Sequence, residues 1–160
     1  MTATLGMLIV ASATDLLTLF IGLELAAFSS YALVAFQKHD DGSTEAGAKY
    51  LLIGAFSSAL TLYGISLLYG LTGTLEIAAI ATHGWGDSFS GVLFVAILFI
   101  IGGLGFKVAA VPFHAWAPDV YQGAPTPVTA FLAAGSKAMG FVALLRIFVT
   151  ALGPALAEWQ

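Results

Sequence analysis

The sequence of 160 residues contains no cysteine, which excludes disulfide bonds, thiolate zinc sites and cysteine-held iron–sulfur clusters from these residues. Charge is also scarce. Only 9% of the residues are Asp, Glu, Lys or Arg, whereas a soluble domain has about 25%. The net charge of −4 offers no basic surface for nucleic acid. No glycine-rich nucleotide-binding pattern follows a strand-like run, so a dinucleotide or nucleoside triphosphate site is not predicted.

Apolar residues dominate instead. Hydrophobic residues make up 59% of the sequence, and the mean hydropathy is +0.97. Both values indicate an integral membrane protein. Residues 1–15 have no basic region and do not resemble a signal peptide. The apolar run at residues 5–13 is too short to cross a bilayer, and we interpret it as part of a longer helix.

Long apolar runs separated by polar loops predict an all-α, polytopic transmembrane helix bundle. Four full spans and a partial one before Asp15 are expected. The full spans are near residues 16–37, 44–71, 89–121 and 125–150. Polar loops are predicted at 37–45 and 72–88, and Ser43 or Thr44 is expected to cap the second span. Small and polar packing positions occur within that span: Ser57, Ser58, Thr61 and Gly64.

The third span, residues 89–121, overlaps residues 102–127, the stretch around which the rest of the chain is organised. As one helix it would be about 50 Å long at 1.5 Å per residue, whereas a bilayer core is about 30 Å thick. Its only charged residues are Lys107 and Asp119. Helix breakers surround the lysine: Gly102, Gly103, Gly105 and Pro112. We therefore predict a broken helix, in which the glycines loosen the turn before Lys107 and the proline interrupts the hydrogen bonding after it.

Ionisable residues at membrane depth form the candidate site, because they are costly there and usually mark a transport pathway. Lys107 lies at the predicted break, Glu24 lies roughly 12 Å into its helix, and Lys137 roughly 15 Å into the last span. Each has a structural alternative. Lys107 would snorkel to an interface, Glu24 would be a protonated or hydrogen-bonded packing residue, and Lys137 would pack on a face of small residues. Arg146, near the far end of the last span, is expected to snorkel.

Lys49 and His114 are further candidates. Lys49 follows Glu45 by four residues, the favourable order for a helical ion pair. The geometry of a simple hairpin does not predict a contact between Lys49 and Glu24. His114 lies seven residues after Lys107 and shares its face only if the helix continues through the predicted break.

Three stretches resemble a known family: GLELAAFSSYALVAF, EAGAKYLLIGAFSSALTLYGISLLYGLTGTL and GFKVAAVPFHAWAPDVYQGAPTPVTAFLAAGSKAMGFVALLRIF. They are similar to the subunit N family of proton-translocating NADH:quinone oxidoreductase, respiratory complex I. These antiporter-like membrane subunits are related to Mrp-type sodium/proton antiporters. The resemblance covers residues 5–148, and DVYQGAPTPVTAF favours subunit N over its sister subunits.

The resemblance implies a fold of two inverted five-helix repeats. Residues 1–160 would form a single membrane domain, a fragment from the end of the fourth helix through the eighth. That fragment corresponds roughly to the first repeat.

The resemblance also assigns roles to five proton-relay residues. Lys107 resembles the channel lysine proposed to carry protons, and Glu24 resembles the glutamate that pairs with it. Lys137 resembles the residue that passes protons along the central hydrophilic axis. Lys49 matches a further lysine of the subunit, and His114 lies in the PFHxW segment.

As a subunit of a redox-driven translocase, the chain is expected to hold no redox centre and no cofactor itself. NADH, FMN, iron–sulfur clusters and quinone are implied in partner subunits. The implied partners are neighbouring antiporter-like and small membrane subunits and the lipid bilayer. The implied location is the bacterial inner membrane, crossed several times. Two alternatives stay open: a stand-alone Mrp-type cation/proton antiporter subunit, and a structural membrane subunit with inert charges.

Overall fold

The computed structural model describes residues 1–85 and 91–153, which form helices joined by turns and short irregular segments and contain no β-strand. The helices of these residues are α1 (Thr2–Ser12), α2 (Leu16–Val34), α3 (Asp41–Thr72), α4 (Ile77–Ala81), α5 (Gly91–Val108), α6 (Trp116–Gly123) and α7 (Thr126–Ala151). Within α7, two stretches are π-helical: Leu132–Ser136 and Leu145–Ala151.

Within the described ranges, α2, α3, α5 and α7 are long and apolar enough to cross a membrane. Helix α1 is also apolar but has only 11 residues. The prediction of an all-α membrane bundle with four full spans and a partial one is therefore confirmed. The predicted start of the third span, residue 89, lies outside the described residues, and α5 is described from Gly91.

Helix α3 begins at Asp41, earlier than predicted, because Asp40 is its N-cap. The Asp40 carboxylate accepts a hydrogen bond of 2.9 Å from the backbone N–H of Ser43. The expectation that Ser43 or Thr44 caps the helix was wrong. The Ser43 hydroxyl instead donates to the Val34 carbonyl at 2.6 Å, which ties the start of α3 to the end of α2.

The predicted loop at 72–88 contains the short helix α4, which is fastened beside the start of α2. The Leu16 N–H donates to the Leu75 carbonyl at 2.9 Å, and the Ile77 N–H donates to the Thr14 carbonyl at 3.0 Å. These two hydrogen bonds satisfy backbone groups in the segment before α2 and in the segment before α4.

Close contact between α3 and α5 depends on small residues. The Ser57 hydroxyl donates to the Gly103 carbonyl at 2.7 Å, and a Cβ added at Gly103 would overlap the Thr61 side chain. Helix α5 is a regular α-helix through its glycines as far as Val108. The prediction that the glycines loosen this turn was wrong: Gly103 lets the backbones of α3 and α5 approach, and Gly105 makes room for the Phe113 ring.

The break itself is present and occupies residues 109–115. Ala109, with φ of 56°, takes the left-handed conformation that ends α5. Pro112 has no N–H and so cannot donate a further helical hydrogen bond after α5. The Trp116 indole N–H donates to the Phe106 carbonyl at 3.1 Å. This bond adds a second donor to a carbonyl that, at the end of α5, also accepts from the Ala109 N–H at 3.1 Å.

Arg146, near the far end of α7, contacts the end of α1. Its Nη1 donates to the Ala11 carbonyl at 2.7 Å, and its Nη2 donates to the Ala13 carbonyl. The carbonyls at the C-terminal end of α1 need partners, and a cation is favoured there by the helix dipole. Arg146 therefore fastens α7 to the end of α1.

Candidate functional site

Glu24 and Lys107 meet inside the bundle from two different helices. Glu24 lies about 12 Å from the start of α2, near the middle of that span. Lys107 lies in the last turn of α5, where the helix dipole favours a cation. The Lys107 Nζ is 3.7 Å from Glu24 Oε1, and the side chains are 4% and 19% exposed. The structure thus brings together two of the residues that the sequence singles out.

Ser58 of α3 completes this arrangement. Its hydroxyl donates to the same Glu24 oxygen at 2.6 Å, a distance typical of a charge-assisted hydrogen bond. The sequence analysis treated Ser58 only as a packing position. The available signal was its place among small residues on an apolar helix, which does not say which carboxylate it will meet.

The contact between the amine and the carboxylate is loose. At 3.7 Å it is longer than a hydrogen bond, and Lys107 Nζ has no hydrogen-bond partner among the described residues. Burial disfavours a protonated amine, and a nearby carboxylate favours it. The proton affinity of Lys107 therefore depends on the position of Glu24, which Ser58 helps to set.

Lys137 lies on α7, the helix that packs against Lys107. It follows directly after the π-helical stretch Leu132–Ser136, a local irregularity often found at functional sites. One turn further on, Gly140 packs directly on Lys107, since a Cβ added there would meet Lys107 Cβ at 3.3 Å. The Lys137 amine is 5.5 Å from the centre of the Tyr121 ring, within range of a cation–π contact.

Lys49 is placed apart from the buried pair. Its amine is 2.7 Å from Glu45 Oε1 and 2.7 Å from Asp119 Oδ2. The pair with Glu45 confirms the helical ion pair expected from the sequence, whereas Asp119 was missed because it is far away in the chain. These side chains line an open cavity of about 390 Å³ between α3 and α6.

His114 is exposed in the broken segment. Because α5 ends before it, His114 does not continue the face of Lys107. No group of three or more His, Cys, Asp or Glu side chains suited to a metal ion occurs in residues 1–85 and 91–153. The site is therefore built from two lysines, a carboxylate and hydroxyl groups.

Known proteins are similar to this chain in sequence and in fold. Residues 13–160 match the family described as NADH:quinone oxidoreductase/Mrp antiporter, transmembrane. The chain is 51% identical over 158 residues to an NADH-quinone oxidoreductase subunit N from Sphingopyxis alaskensis, which covers 99% of this chain and 33% of that protein. The chain thus spans about a third of the length of the curated relatives it matches.

Two solved structures show the same arrangement of helices. A chain of respiratory complex I from Thermus thermophilus matches with a TM-score of 0.79 and 41% identity, over 91% of this chain and 32% of that one. A chain of the Mrp complex from a Dietzia species matches with a TM-score of 0.84 and 25% identity, over 96% and 29%. The backbone is common to both groups, while the sequence is more similar to the respiratory complex.

Proposed function

The chain belongs to the NADH:quinone oxidoreductase/Mrp antiporter transmembrane family, and from that premise we propose that it is the proton-translocating part of a complex I subunit N. The observation that carries the proposal is the buried, loosely paired Lys107 beside Glu24 at a helix break. We further propose that residues 1–160 correspond roughly to the first five-helix repeat of that subunit. The broken helix supports this, since such helices commonly form transport sites at the interface of repeats.

In the proposed mechanism, Glu24 controls the proton on Lys107. With Glu24 close, the carboxylate stabilises the protonated amine. When Glu24 moves away, burial makes the charged amine unfavourable, and Lys107 releases one proton. Lys137 accepts that proton when its own amine is neutral, so the charge advances from one lysine to the next. The two positions of Glu24 are the two states that coupling to an energy source requires.

The energy source lies outside this chain in the proposal. NADH, FMN, iron–sulfur clusters and quinone belong to partner subunits, where quinone reduction would drive the change at Glu24. The proposed partners are neighbouring antiporter-like and small membrane subunits, together with the lipids of a bacterial inner membrane. The names of the subunit N relatives and the match to respiratory complex I support this assignment.

Lys49 and His114 have outer positions in the proposed pathway. Lys49 lies about 14 Å along α3 from Ser58 at 1.5 Å per residue, close to the edge of a bilayer whose half-thickness is about 15 Å. Its cavity with Asp119 therefore suits an aqueous opening. His114 lies in the broken segment, and its side chain is exposed at the surface of this part of the protein.

The test is a set of lysine variants in the assembled complex. Lys107→Ala and Lys137→Ala should each lower proton pumping at least about ten-fold, as expected for removing a group that transfers protons. Because the relay is serial, the double variant should be little worse than the poorer single one. Lys107→Arg should not restore pumping, since arginine does not release its proton readily. The measurement is NADH-driven proton uptake by membrane vesicles at matched levels of complex.

Independent, multiplicative losses would contradict one shared path, and full pumping by Lys107→Ala would leave only the structural subunit with inert charges. The stand-alone Mrp-type antiporter remains the second candidate because the fold is shared at a TM-score of 0.84. Sodium transport by the subunit without its partners would favour that candidate. The lower identity of 25% to the Mrp complex ranks it second.

A further inference from the structure

An apolar groove lies beside the broken segment, between α3 and the end of α5. It has a volume of about 220 Å³, and Ile53, Phe56 and Phe113 are among the residues that line it. Gly102 forms part of one wall, where an added Cβ would lie 3.6 Å from both Leu60 and Phe113. Because Ile53, Phe56 and Phe113 are exposed, the groove opens at the surface of the bundle.

Among the described residues, the groove presents no free side-chain donor. Its two polar side chains are Ser57 and Trp116. The Ser57 hydroxyl donates to the Gly103 carbonyl at 2.7 Å, and the Trp116 indole N–H donates to the Phe106 carbonyl at 3.1 Å. A ligand in the groove is therefore held by apolar contacts. The volume is below that of most pockets for drug-sized ligands, which favours a single chain over a ring system.

A polar cavity lies on the same face of α3, toward the edge of the bilayer. Lys49, Ile53, Phe56 and Leu60 are spaced by four, three and four residues, so they lie along one face of the helix. Lys49 lines the polar cavity, and the other three line the groove. The distance along α3 from Lys49 to Leu60 is about 16 Å. It matches the roughly 15 Å of hydrocarbon in one leaflet of a bilayer.

The charges of the polar cavity favour a cationic headgroup. Three carboxylates, from Asp40, Glu45 and Asp119, line it together with the single amine of Lys49. A lipid with a net negative charge would be repelled by this excess of carboxylates. An ammonium group instead donates hydrogen bonds to carboxylate oxygens. The Lys49 amine has three donors, and since Glu45 and Asp119 use two of them, the third is left for a phosphate oxygen.

We propose that this face of α3 binds one phospholipid with a primary ammonium headgroup. One acyl chain occupies the groove, the ammonium contacts Asp119 in the polar cavity, and the phosphate contacts Lys49. A quaternary ammonium would fit less well, because it has no N–H to donate. The site is separate from the Glu24–Lys107 pair, and a hydrated headgroup leaves the cavity open to water.

The test uses photoreactive lipids with the assembled complex. The complex is placed in vesicles of phosphatidylethanolamine and phosphatidylglycerol that contain a trace of either lipid with a photoreactive group on one acyl chain. Mass spectrometry then identifies the labelled peptides. The phosphatidylethanolamine probe should label residues 53–60 and 112–116, which border the groove. This labelling should exceed that by the phosphatidylglycerol probe roughly two- to ten-fold, the equivalent of one hydrogen bond. Asp119→Asn should reduce the difference.

Closing the groove provides a second measurement. Ile53→Trp places a larger side chain in the groove and should lower its labelling at least about five-fold, because two groups cannot pack into one space without strain. Leu52→Trp is the matched control, since Leu52 is exposed at the neighbouring position of α3 but does not line the groove. Its labelling should equal that of the parent protein. The amount of assembled complex is measured in the same vesicles.

Three results would overturn the inference. They are equal labelling of the groove by the two lipid probes, unchanged labelling in Ile53→Trp, and a photoreactive residue at Phe56 that cross-links to another polypeptide instead of to lipid. The comparison of probes uses the unchanged protein, so it decides the matter even if Ile53→Trp does not assemble. Failure of this inference also differs from failure of the proposed function, because pumping would still depend on Lys107 and Lys137.

Discussion

Two lysines in the described part of the chain pair with carboxylates, in opposite surroundings. Lys49 and Asp119 are 2.7 Å apart with side chains 45% and 53% exposed, whereas Lys107 and Glu24 are 3.7 Å apart with side chains 4% and 19% exposed. By distance, the first pair is the better ion pair. By burial, the second is far more consequential, because charges in a low-dielectric interior interact more strongly and are costly when unpaired.

The difference shows why geometry alone does not identify a functional ion pair. An exposed pair gains little from contact, since water and salt compete for both groups. The Lys49 amine also contacts a second carboxylate, since Glu45 Oε1 lies 2.7 Å from it. Lys107 is paired with Glu24, and the same Glu24 oxygen also accepts a hydrogen bond from the Ser58 hydroxyl. A movement of the partner carboxylate should therefore affect the charge of the buried lysine more than that of the exposed lysine.

The largest effect in this comparison is expected from removing the buried carboxylate. Glu24→Gln should lower NADH-driven proton pumping at least about five-fold, because Lys107 loses the charge that controls its proton. The assembled level of the complex should fall less than pumping, since glutamine can still accept a bond from Ser58. Proton uptake by vesicles and the amount of complex in the membrane are measured together.

Glu45→Gln is the matched control, since it removes one of the two exposed carboxylates beside Lys49 and leaves the other, Asp119, in place. We expect pumping close to that of the parent protein. Normal pumping by a fully assembled Glu24→Gln complex would remove Glu24 from the mechanism. An equal loss in both variants would remove the distinction between the buried and the exposed pair.

A smaller effect is expected at the hydroxyl that orients the buried carboxylate. The hydrogen bond from Ser58 positions Glu24 without carrying the proton, so we expect a loss at the low end of the about 0.5–1.5 kcal/mol that a hydrogen bond contributes net. Ser58→Ala should therefore free Glu24 and lower pumping roughly two- to five-fold. Ser66→Ala on the same helix is the control, because its exposed hydroxyl bonds to the Tyr63 carbonyl of its own helix. Equal pumping by both variants would show that Ser58 is only a packing residue.

Local sequence patterns were sufficient to predict most of the fold. Hydropathy and length gave the four spans, because each span must satisfy its backbone internally and fill the bilayer. Pro112 indicated the break, because a proline within a helix removes a hydrogen bond of its ladder. The glycines were misread, since Gly103 permits either a loose turn or a close helix contact. Only the opposing residues of α3 decide between the two.

The contacts of the site were harder to predict, because they join helices that are distant in sequence. The sequence marks Glu24, Lys107 and Lys137 as costly groups in an apolar chain, which is a property of each residue alone. It does not reveal that Ser58 faces Glu24, or that Asp119 faces Lys49. Those partners follow from how α3 is rotated and where α6 folds back, and both depend on packing across the whole bundle.

The smallest effect is expected at the Lys49–Asp119 pair, although its distance is the shorter of the two. Lys49→Gln and Asp119→Asn should each change pumping less than about two-fold, because solvent already screens the exposed pair. Lys49 would still be an outer member of the pathway, since water in an open cavity can carry protons past a missing side chain. The sensitive measurement is pumping at low and high ionic strength, because screening weakens the parent pair as salt rises. The parent and the two variants should therefore converge at high salt. A loss at Lys49 that matches the loss at Lys107 and persists in salt would mean that this lysine carries protons as a required step, and that exposure is no guide to which pair matters.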